Sequence, residues 1–214
     1  MQITWYAPGM AGTSTGLRER KKRETREALA RAGLRLFVER GYDATTLADI
    51  ADAAGVSTRT IFAYFPGKED ILFASFETMR EALAHALAER PAGQDALTAL
   101  REFIVSEAHQ KTDLDCMLDE VIAADETLTR YKRARIGQLQ GVLATAIARD
   151  LGAGPDDLRA NVAAASLTAA FEVLAEQGGA PTAATSNEEI AAAIDPVIAF
   201  VRAGLAALPA PSAG

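Results

Sequence analysis

Residues 47–65 read LADIADAAGVSTRTIFAYF, and the spacing within this stretch decides the fold. It predicts two short helices that meet at a corner on Gly55, a residue that adopts positive φ without strain. Ala51 is small enough for the second helix to cross over it, while Ile50 and Ile61 supply apolar side chains for the wedge between the helices. The pattern is that of a helix-turn-helix, in which the outer face of the second helix can enter a major groove of DNA.

Capping patterns around this stretch place the neighbouring helices. The helix before it has apolar residues at helical spacing and ends at Gly41. Thr46 is followed by Asp49 in a capping-box pattern, which predicts that the first short helix covers Leu47–Ala54. Ser57 is a suitable cap for the second.

The rest of the chain also has helical periodicity and no strand-like alternation. A long linking helix is predicted over 68–90, and five more helices follow up to residue 208, the last one interrupted or kinked at Pro196. The chain contains 46 alanines and 6% aromatic residues, a composition that favours close-packed helices over sheets. The predicted fold class is all-α, with about nine helices.

Charge is unevenly distributed along the chain. The net charge is -7, yet residues 1–70 carry 11 basic and 9 acidic side chains. Eight of these basic residues lie within eighteen positions: Arg18, Arg20, Lys21, Lys22, Arg23, Arg26, Arg31 and Arg35. Such a run fits either a solvated helical face or an arm that contacts phosphates, and the helix-turn-helix that follows favours the arm.

The stretch from about Arg23 to Leu83 resembles the DNA-binding domain of TetR-family transcriptional regulators. The residues that carry the resemblance are Gly41-Tyr42, Thr45-Thr46, Ile50-Ala51, Ala54-Gly55-Val56-Ser57, Thr60-Ile61, Tyr64-Phe65 and Lys68-Glu69-Asp70-Ile71-Leu72. They cover about a third of the chain. The resemblance implies a homodimeric repressor that leaves a palindromic DNA operator when a small, mainly apolar effector binds.

The predicted domain plan follows from the helices and the resemblance together. It lists a disordered tail over 1–17, a helix-turn-helix DNA-binding domain over 18–70, the linking helix over 68–90, a ligand-binding and dimerisation domain over 91–208, and a second disordered tail over 209–214.

Eight residues are predicted to contact DNA: Thr46, Ser57, Thr58, Arg59, Thr60, Phe62, Tyr64 and Lys68. Tyr64 and Lys68 match family positions that touch backbone phosphates. Arg59 stands where the family often has glycine, and its guanidinium can pair with guanine, although contact with phosphate alone or with nothing also fits. Ala63 stands where the family often has a tyrosine, which puts one family-typical phosphate contact in doubt.

The second domain is predicted to dimerise through its eighth and ninth helices in this count. The eighth has apolar residues on two faces, Leu158, Val162, Ala165, Ala169 and Val173 on one, and Ala163, Leu167, Ala170, Phe171 and Leu174 on the other. The ninth contributes Ile190, Ile194, Val197, Val201 and Leu205. A subunit contact explains two apolar faces, and so does a helix in the centre of one core.

Seven residues are predicted to line an effector pocket: Phe76, Met79, Phe103, Met117, Ile122, Tyr131 and Phe171. Relatives of this kind enclose such a pocket with their fourth to eighth helices. Few ionisable residues fall on these inner faces, so the expected ligand is mainly apolar.

Other function classes find little support in the sequence. Cys116 is the single cysteine, which excludes an internal disulfide and favours a cytoplasmic protein with an inert thiol over a redox sensor. His85 and His109 are too isolated for a metal site, and no cofactor is expected. Neither a signal-peptide pattern nor a long uninterrupted apolar run occurs, so no membrane association is expected. No catalytic motif argues for an enzyme. A helical protein-binding module remains as a rival, which DNA binding sensitive to Arg59 would exclude.

Overall fold

The computed structural model describes residues 14–108, 112–176 and 185–208, and within these ranges every regular element is a helix. The all-α prediction is therefore confirmed. Ten helices are present in the described residues, compared with about nine predicted. The chain divides into two compact units between Leu72 and Phe73.

The N-terminal unit contains four helices. They are α1 (Ser14–Arg40), α2 (Leu47–Ala54), α3 (Thr58–Phe62) and α4 (Lys68–Leu72). Helix α1 packs against both α2 and α4, and α2 packs against α3.

The C-terminal unit contains the other six helices. They are α5 (Ala74–Ala88), α6 (Ala96–Ala108), α7 (Asp113–Ala123), α8 (Glu126–Asp150), α9 (Leu158–Glu176) and α10 (Asn187–Ala207). One apolar cluster joins α5, α6, α8, α9 and α10, and its larger members are Leu83, Leu87, Leu97, Leu100, Leu143, Ile147, Leu167, Ile190, Ile194, Ile198 and Val201.

The predicted linking helix over 68–90 is two helices, α4 and α5, separated at Phe73. Phe73 has φ -98° and ψ 18°, outside the helical pattern of its neighbours. All four residues from Ile71 to Ala74 are buried. Successive side chains on a straight helix are 100° apart, so four consecutive side chains cannot all point to one face. The break at Phe73 changes the direction of the chain and lets all four be buried. The periodicity of the apolar residues did not reveal this interruption.

Helix α1 begins earlier than predicted. It starts at Ser14, so residues 14–17 of the predicted disordered tail are helical, while residues 1–13 lie outside the described part of the chain. Ion pairs at i, i+4 spacing join Arg20 to Glu24 and Arg23 to Glu27, and such pairs support an exposed helix. The basic run from Arg18 to Arg35 thus lies within α1. The predicted tail over 209–214 also lies outside the described residues.

Helix α10 has the length and apolar composition of a membrane span. The search for uninterrupted apolar runs missed it because Asp195 and Arg202 lie within it. Its inner face is buried in the apolar cluster, and Asp195 and Arg202 pair with Arg101 and Asp95 of the C-terminal unit. These contacts pack one side of the helix into this unit, and 22% of the apolar window is buried. The helix continues through Pro196, where an interruption or a kink was predicted.

Helix α1 makes its closest approach to the rest of the N-terminal unit at Gly33. A Cβ atom on Gly33 would lie 2.5 Å from Cγ2 of Ile71 and 3.2 Å from Cδ1 of Ile50. Both isoleucines are fully buried, one on α2 and one on α4. The absence of a side chain at Gly33 therefore lets α1 pack against both helices at once.

We expect Gly33→Ala to destabilise the N-terminal unit by about 1–3 kcal/mol, because a methyl group there overpacks the core. Ile71 is β-branched and its Cγ2 has little freedom to move away. This loss exceeds the gain of up to about 1 kcal/mol that alanine brings to a helix. Urea unfolding measures the change.

The matched control is Gly137→Ala in α8, where an added Cβ meets nothing within 4 Å. It should stabilise the protein by about 0.5–1 kcal/mol through helix propensity alone. A stabilising effect of both substitutions would contradict the packing role of Gly33.

Candidate nucleic-acid interface

The corner between α2 and α3 has the predicted geometry. Gly55 adopts φ 67° and ψ 31°, the left-handed conformation that its lack of a side chain allows. Its N–H donates to the carbonyl of Asp52 at 3.1 Å, and the N–H of Val56 donates to the carbonyl of Ala51 at 3.0 Å. These bonds close the C-terminus of α2 and redirect the chain into α3.

Both short helices begin at the predicted caps. The N–H of Asp49 donates to the Thr46 hydroxyl at 3.1 Å, and the Asp49 carboxylate accepts from the Thr46 N–H at 2.8 Å. Hydrogen bonds from the Thr46 side chain and backbone lower the pKa of Asp49. At α3, the Ser57 hydroxyl accepts from the Thr60 N–H at 3.1 Å. The orientation of α3 is thus fixed by local hydrogen bonds at its start.

Helix α3 buries one side and exposes the other. Ile61 is fully buried beneath it. Thr58 and Arg59 are exposed, and so is 57% of Phe62. An arginine beside a large apolar ring is a combination that reads bases, since arginine pairs with guanine and an apolar group contacts the thymine methyl. Of the predicted DNA contacts, these three form the outer face of α3.

Three other predicted contacts are also capping residues. The hydroxyls of Ser57 and Thr60 lie 2.9 Å apart, and the Thr46 side chain takes part in the cap of α2. Thr46 and Ser57 remain exposed, so their hydroxyls are accessible beside the two helix starts. Their structural role is to cap the starts of α2 and α3, and this role is independent of any contact with DNA.

Lys68 has partners inside the N-terminal unit that the sequence analysis missed. Its Nζ donates to the carbonyl of Tyr42 at 2.8 Å and lies 4.3 Å from the centroid of the Tyr42 ring. That ring packs against Phe37, with their centroids 5.1 Å apart. Lys68 therefore ties the start of α4 to the segment after α1. Tyr42 and Lys68 both belong to the residues that carry the resemblance, but their separation of 26 positions gave no signal of contact.

Arg26 is a residue that the site prediction omitted. Its guanidinium carbon lies 4.8 Å from the centroid of Phe65, three residues after the end of α3. The ring is fully buried, and Tyr64 beside it is half-buried. A cation over an aromatic face contributes about 0.5–1 kcal/mol at an exposed site. Arg26 thus links α1 to the segment that follows α3.

The seven predicted effector residues do not share one environment. Phe103 and Phe171 pack against the apolar cluster of the C-terminal unit, and Ile122 is buried. Met117 and Tyr131 are exposed. The remaining two, Phe76 and Met79, are half-buried on α5. Two surface clefts of this unit are lined by residues between 88 and 95 with 149–150, and by residues 151–159, so none of the seven lines either cleft.

One of the two apolar faces predicted for α9, the face with Leu158, is exposed to solvent. Leu158 is 74% exposed, and Val162, Ala169 and Val173 on the same side are exposed as well. The opposite face, with Leu167, is buried in the core. A helix with one face in the core and a second apolar face in solvent has surface available for a partner.

The residues predicted to contact a second subunit from the last helix are core residues of the same chain. Ile190, Ile194 and Val201 are buried, while Val197 and Leu205 pack against the same cluster. Their large side chains fill the core because they bury more apolar area than alanine does. The exposed side of α10 instead carries Phe200, 73% exposed, among small residues such as Ala203.

Among the residues that the structure describes, no group of three His, Cys, Asp or Glu side chains could hold a metal ion. His85 is exposed and Cys116 is half-buried. His109 lies outside the described residues.

Comparison with protein families identifies the N-terminal unit. Residues 29–75 match the family described as "Bacterial regulatory proteins, tetR family". The chain is 44% identical over 85 residues to the HTH-type transcriptional regulator TcmR of Streptomyces glaucescens, an alignment that covers 40% of this chain and 38% of that protein. The match therefore spans well under half the length of this relative.

Solved structures resemble the fold over most of the chain. One is a putative TetR-family transcriptional regulator from Mesorhizobium loti, with a TM-score of 0.59 and 16% identity, covering 86% of this chain and 97% of that one. Another is the TetR-family repressor FadR of Thermus thermophilus in complex with lauroyl-CoA, with a TM-score of 0.51 and 26% identity, covering 88% and 99%.

Proposed function

We propose that this chain, whose residues 29–75 match the tetR family of bacterial regulatory proteins, is a homodimeric transcriptional repressor that binds a palindromic operator and is released by a small apolar effector. The observation that carries the proposal is the α2–α3 corner, which exposes Arg59 and Phe62 on one face of a firmly capped helix. The relatives are transcriptional regulators, so we propose no catalytic activity. A cytoplasmic location follows from the same role.

We propose that α3 recognises the DNA bases and that the residues around α3 position it on the duplex. Arg59 has the guanidinium that can form two hydrogen bonds with guanine, and Phe62 has the apolar ring for a thymine methyl. Lys68 stands at the start of α4, where its ammonium has donors left after bonding to Tyr42. It is proposed to contact a phosphate with one of them, which adds affinity without selecting sequence.

A homodimer follows from the limited reach of a single α3. This helix has five residues and can read few base pairs, so two copies related by two-fold symmetry are needed for a specific site. The proposed contact is the exposed apolar face of α9 together with the exposed side of α10 around Phe200. These two helices pack against each other, which makes a joint contribution of their exposed sides to one contact possible in a two-fold dimer.

The proposed effector binds in the C-terminal unit near α5, α6 and α9. Phe76, Met79, Phe103 and Phe171 are half-buried there, an arrangement in which a ligand can gain apolar contact without displacing a fully buried core. The acyl chain of the lauroyl-CoA in the FadR complex supports an effector with an apolar part. Helix α5 follows α4 after one residue, so an effector that shifts α5 acts close to Lys68 in the chain.

The DNA-reading role is tested with a duplex selected by the full chain from a random pool. We expect Arg59→Ala to lower affinity for that duplex by about 1–3 kcal/mol and to relax the preference at one guanine. Lys68→Met should weaken selected and random duplexes alike, and it should also destabilise the N-terminal unit because the ammonium holds Tyr42. Fluorescence anisotropy measures both affinities. The opposite pattern would show that the base and phosphate roles are exchanged.

The dimer contact is tested with Val162→Glu on the exposed face of α9. Burying an unpaired charge costs about 3 kcal/mol or more, so the dissociation constant of the dimer should rise by about 100-fold. Sedimentation velocity measures it. Gln138→Glu on the exposed side of α8 adds the same charge elsewhere in the unit and should leave the dimer intact. A wild-type chain that stays monomeric when bound to its selected duplex would overturn the proposal.

The effector is sought by screening apolar molecules, together with acyl-CoA thioesters that carry an apolar chain, for release of the selected duplex. A coupling free energy of about 1–3 kcal/mol corresponds to a loss of affinity of about 5- to 150-fold. Met79→Ala should weaken this response at least tenfold more than it changes DNA binding itself. Leu208→Ala, which shortens an exposed leucine at the end of α10, serves as control. A ligand that binds the protein and leaves duplex affinity unchanged would contradict the effector role.

A further inference from the structure

The first half of α1 extends beyond the packed part of the N-terminal unit. Residues 16–24 are all exposed, and Leu29 is the first residue of the helix that is buried. We call residues 18–26 the basic arm, because this stretch holds six basic and two acidic side chains. The chain as a whole carries a net charge of -7, so the arm is a local exception.

Three of the basic residues continue the packed face of α1. Arg18, Lys22 and Arg26 are spaced by four residues, which places them in one row along the helix, about 6 Å apart. The same row leads on to Ala30, which is buried in the core. This cationic row is therefore on the side of α1 that faces the other helices of the unit.

Arg26 fixes where the cationic row leads. Its guanidinium lies over the ring of Phe65, and Phe65 follows the end of α3 by three residues. The row thus starts next to the segment after α3 and extends outward through Lys22 to Arg18. An anionic partner in contact with the exposed face of α3 has the row within its neighbourhood.

Ion pairing distinguishes the cationic row from the other basic residues of the arm. Arg20 and Arg23 pair with glutamates one turn later, whereas Arg18 and Lys22 form no ion pair within the described residues. Like charges at i, i+4 spacing repel each other, so the row is unfavourable for the free helix and becomes favourable beside a polyanion.

We propose that Arg18 and Lys22 contact the phosphate backbone of duplex DNA outside the base pairs read by α3. The inference rests on the proposed DNA-binding function and adds a second, sequence-independent contact to it. An anionic membrane is the weaker partner, because a helix that lies on a membrane needs an apolar face and the arm has none.

The test compares two double variants of the full chain that remove equal charge from the same helix. One is Arg18→Gln with Lys22→Gln, and the control is Arg31→Gln with Arg35→Gln, two exposed residues on the opposite side of α1. Glutamine keeps a good helix propensity, and circular dichroism checks that both variants fold. The probe is a short duplex of random sequence, with affinities measured by anisotropy between about 50 and 200 mM salt.

Each phosphate contact contributes about 0.9 to the slope of log affinity against log salt concentration. The proposed dimer carries two copies of this pair, so the Arg18/Lys22 variant is expected to lose about four units of slope, and its affinity falls about 100-fold less than that of the wild type over this salt range. The control should keep the wild-type slope. An unchanged slope in the first variant, or an equal loss in the control, overturns the inference.

Failure of the inference and failure of the proposed function are distinguishable. If the wild type does not bind duplex DNA at low salt, the function itself fails. A second outcome is that the wild type binds and that binding to its selected duplex depends on Arg59, while the salt slope is unchanged by the Arg18/Lys22 variant. In that case only the role of the arm fails. Loss of binding to phosphatidylglycerol vesicles in the first variant, with the DNA slope unchanged, would assign the row to lipid and equally overturn the proposal.

Discussion

The N-terminal unit depends on the close approach of α1 to α2 and α4 at Gly33. A single position without a side chain allows two buried isoleucines, Ile50 and Ile71, to pack against the same point of one helix. Helices α3 and α4 have five residues each, too few to be stable in isolation. Their positions depend on α1 and α2 through this contact and the caps, so the geometry of the proposed DNA-reading surface is set by a residue remote from that surface.

Two cations have structural roles in the N-terminal unit. Lys68 and Arg26 each cover an aromatic ring, Tyr42 in one case and Phe65 in the other, and each thereby joins elements distant in sequence. Both side chains are half-buried, so neither is fully removed from solvent. In a unit with so few residues, positively charged side chains contribute to packing through such contacts, in addition to the phosphate contact proposed for Lys68.

The local features of the interface were predictable from sequence because they depend on neighbours in the chain. The capping box at Thr46, the cap at Ser57 and the left-handed Gly55 each involve residues within four positions of each other. The contact of Lys68 with Tyr42 spans 26 positions, and nothing in the spacing indicates it. The faces of the last helix were misassigned because periodicity shows that a helix has an apolar side but not whether its own chain or another covers that side.

The interruption at Phe73 also bears on how the protein loses its structure. Since the chain divides there, each unit has its own core, and the smaller one has about the size at which a single core barely offsets chain entropy. All-or-none unfolding of the whole chain is then not the natural expectation. We expect rising temperature to melt the N-terminal unit while the larger helical unit persists, so that heat would separate the proposed DNA binding from the fold of the C-terminal unit.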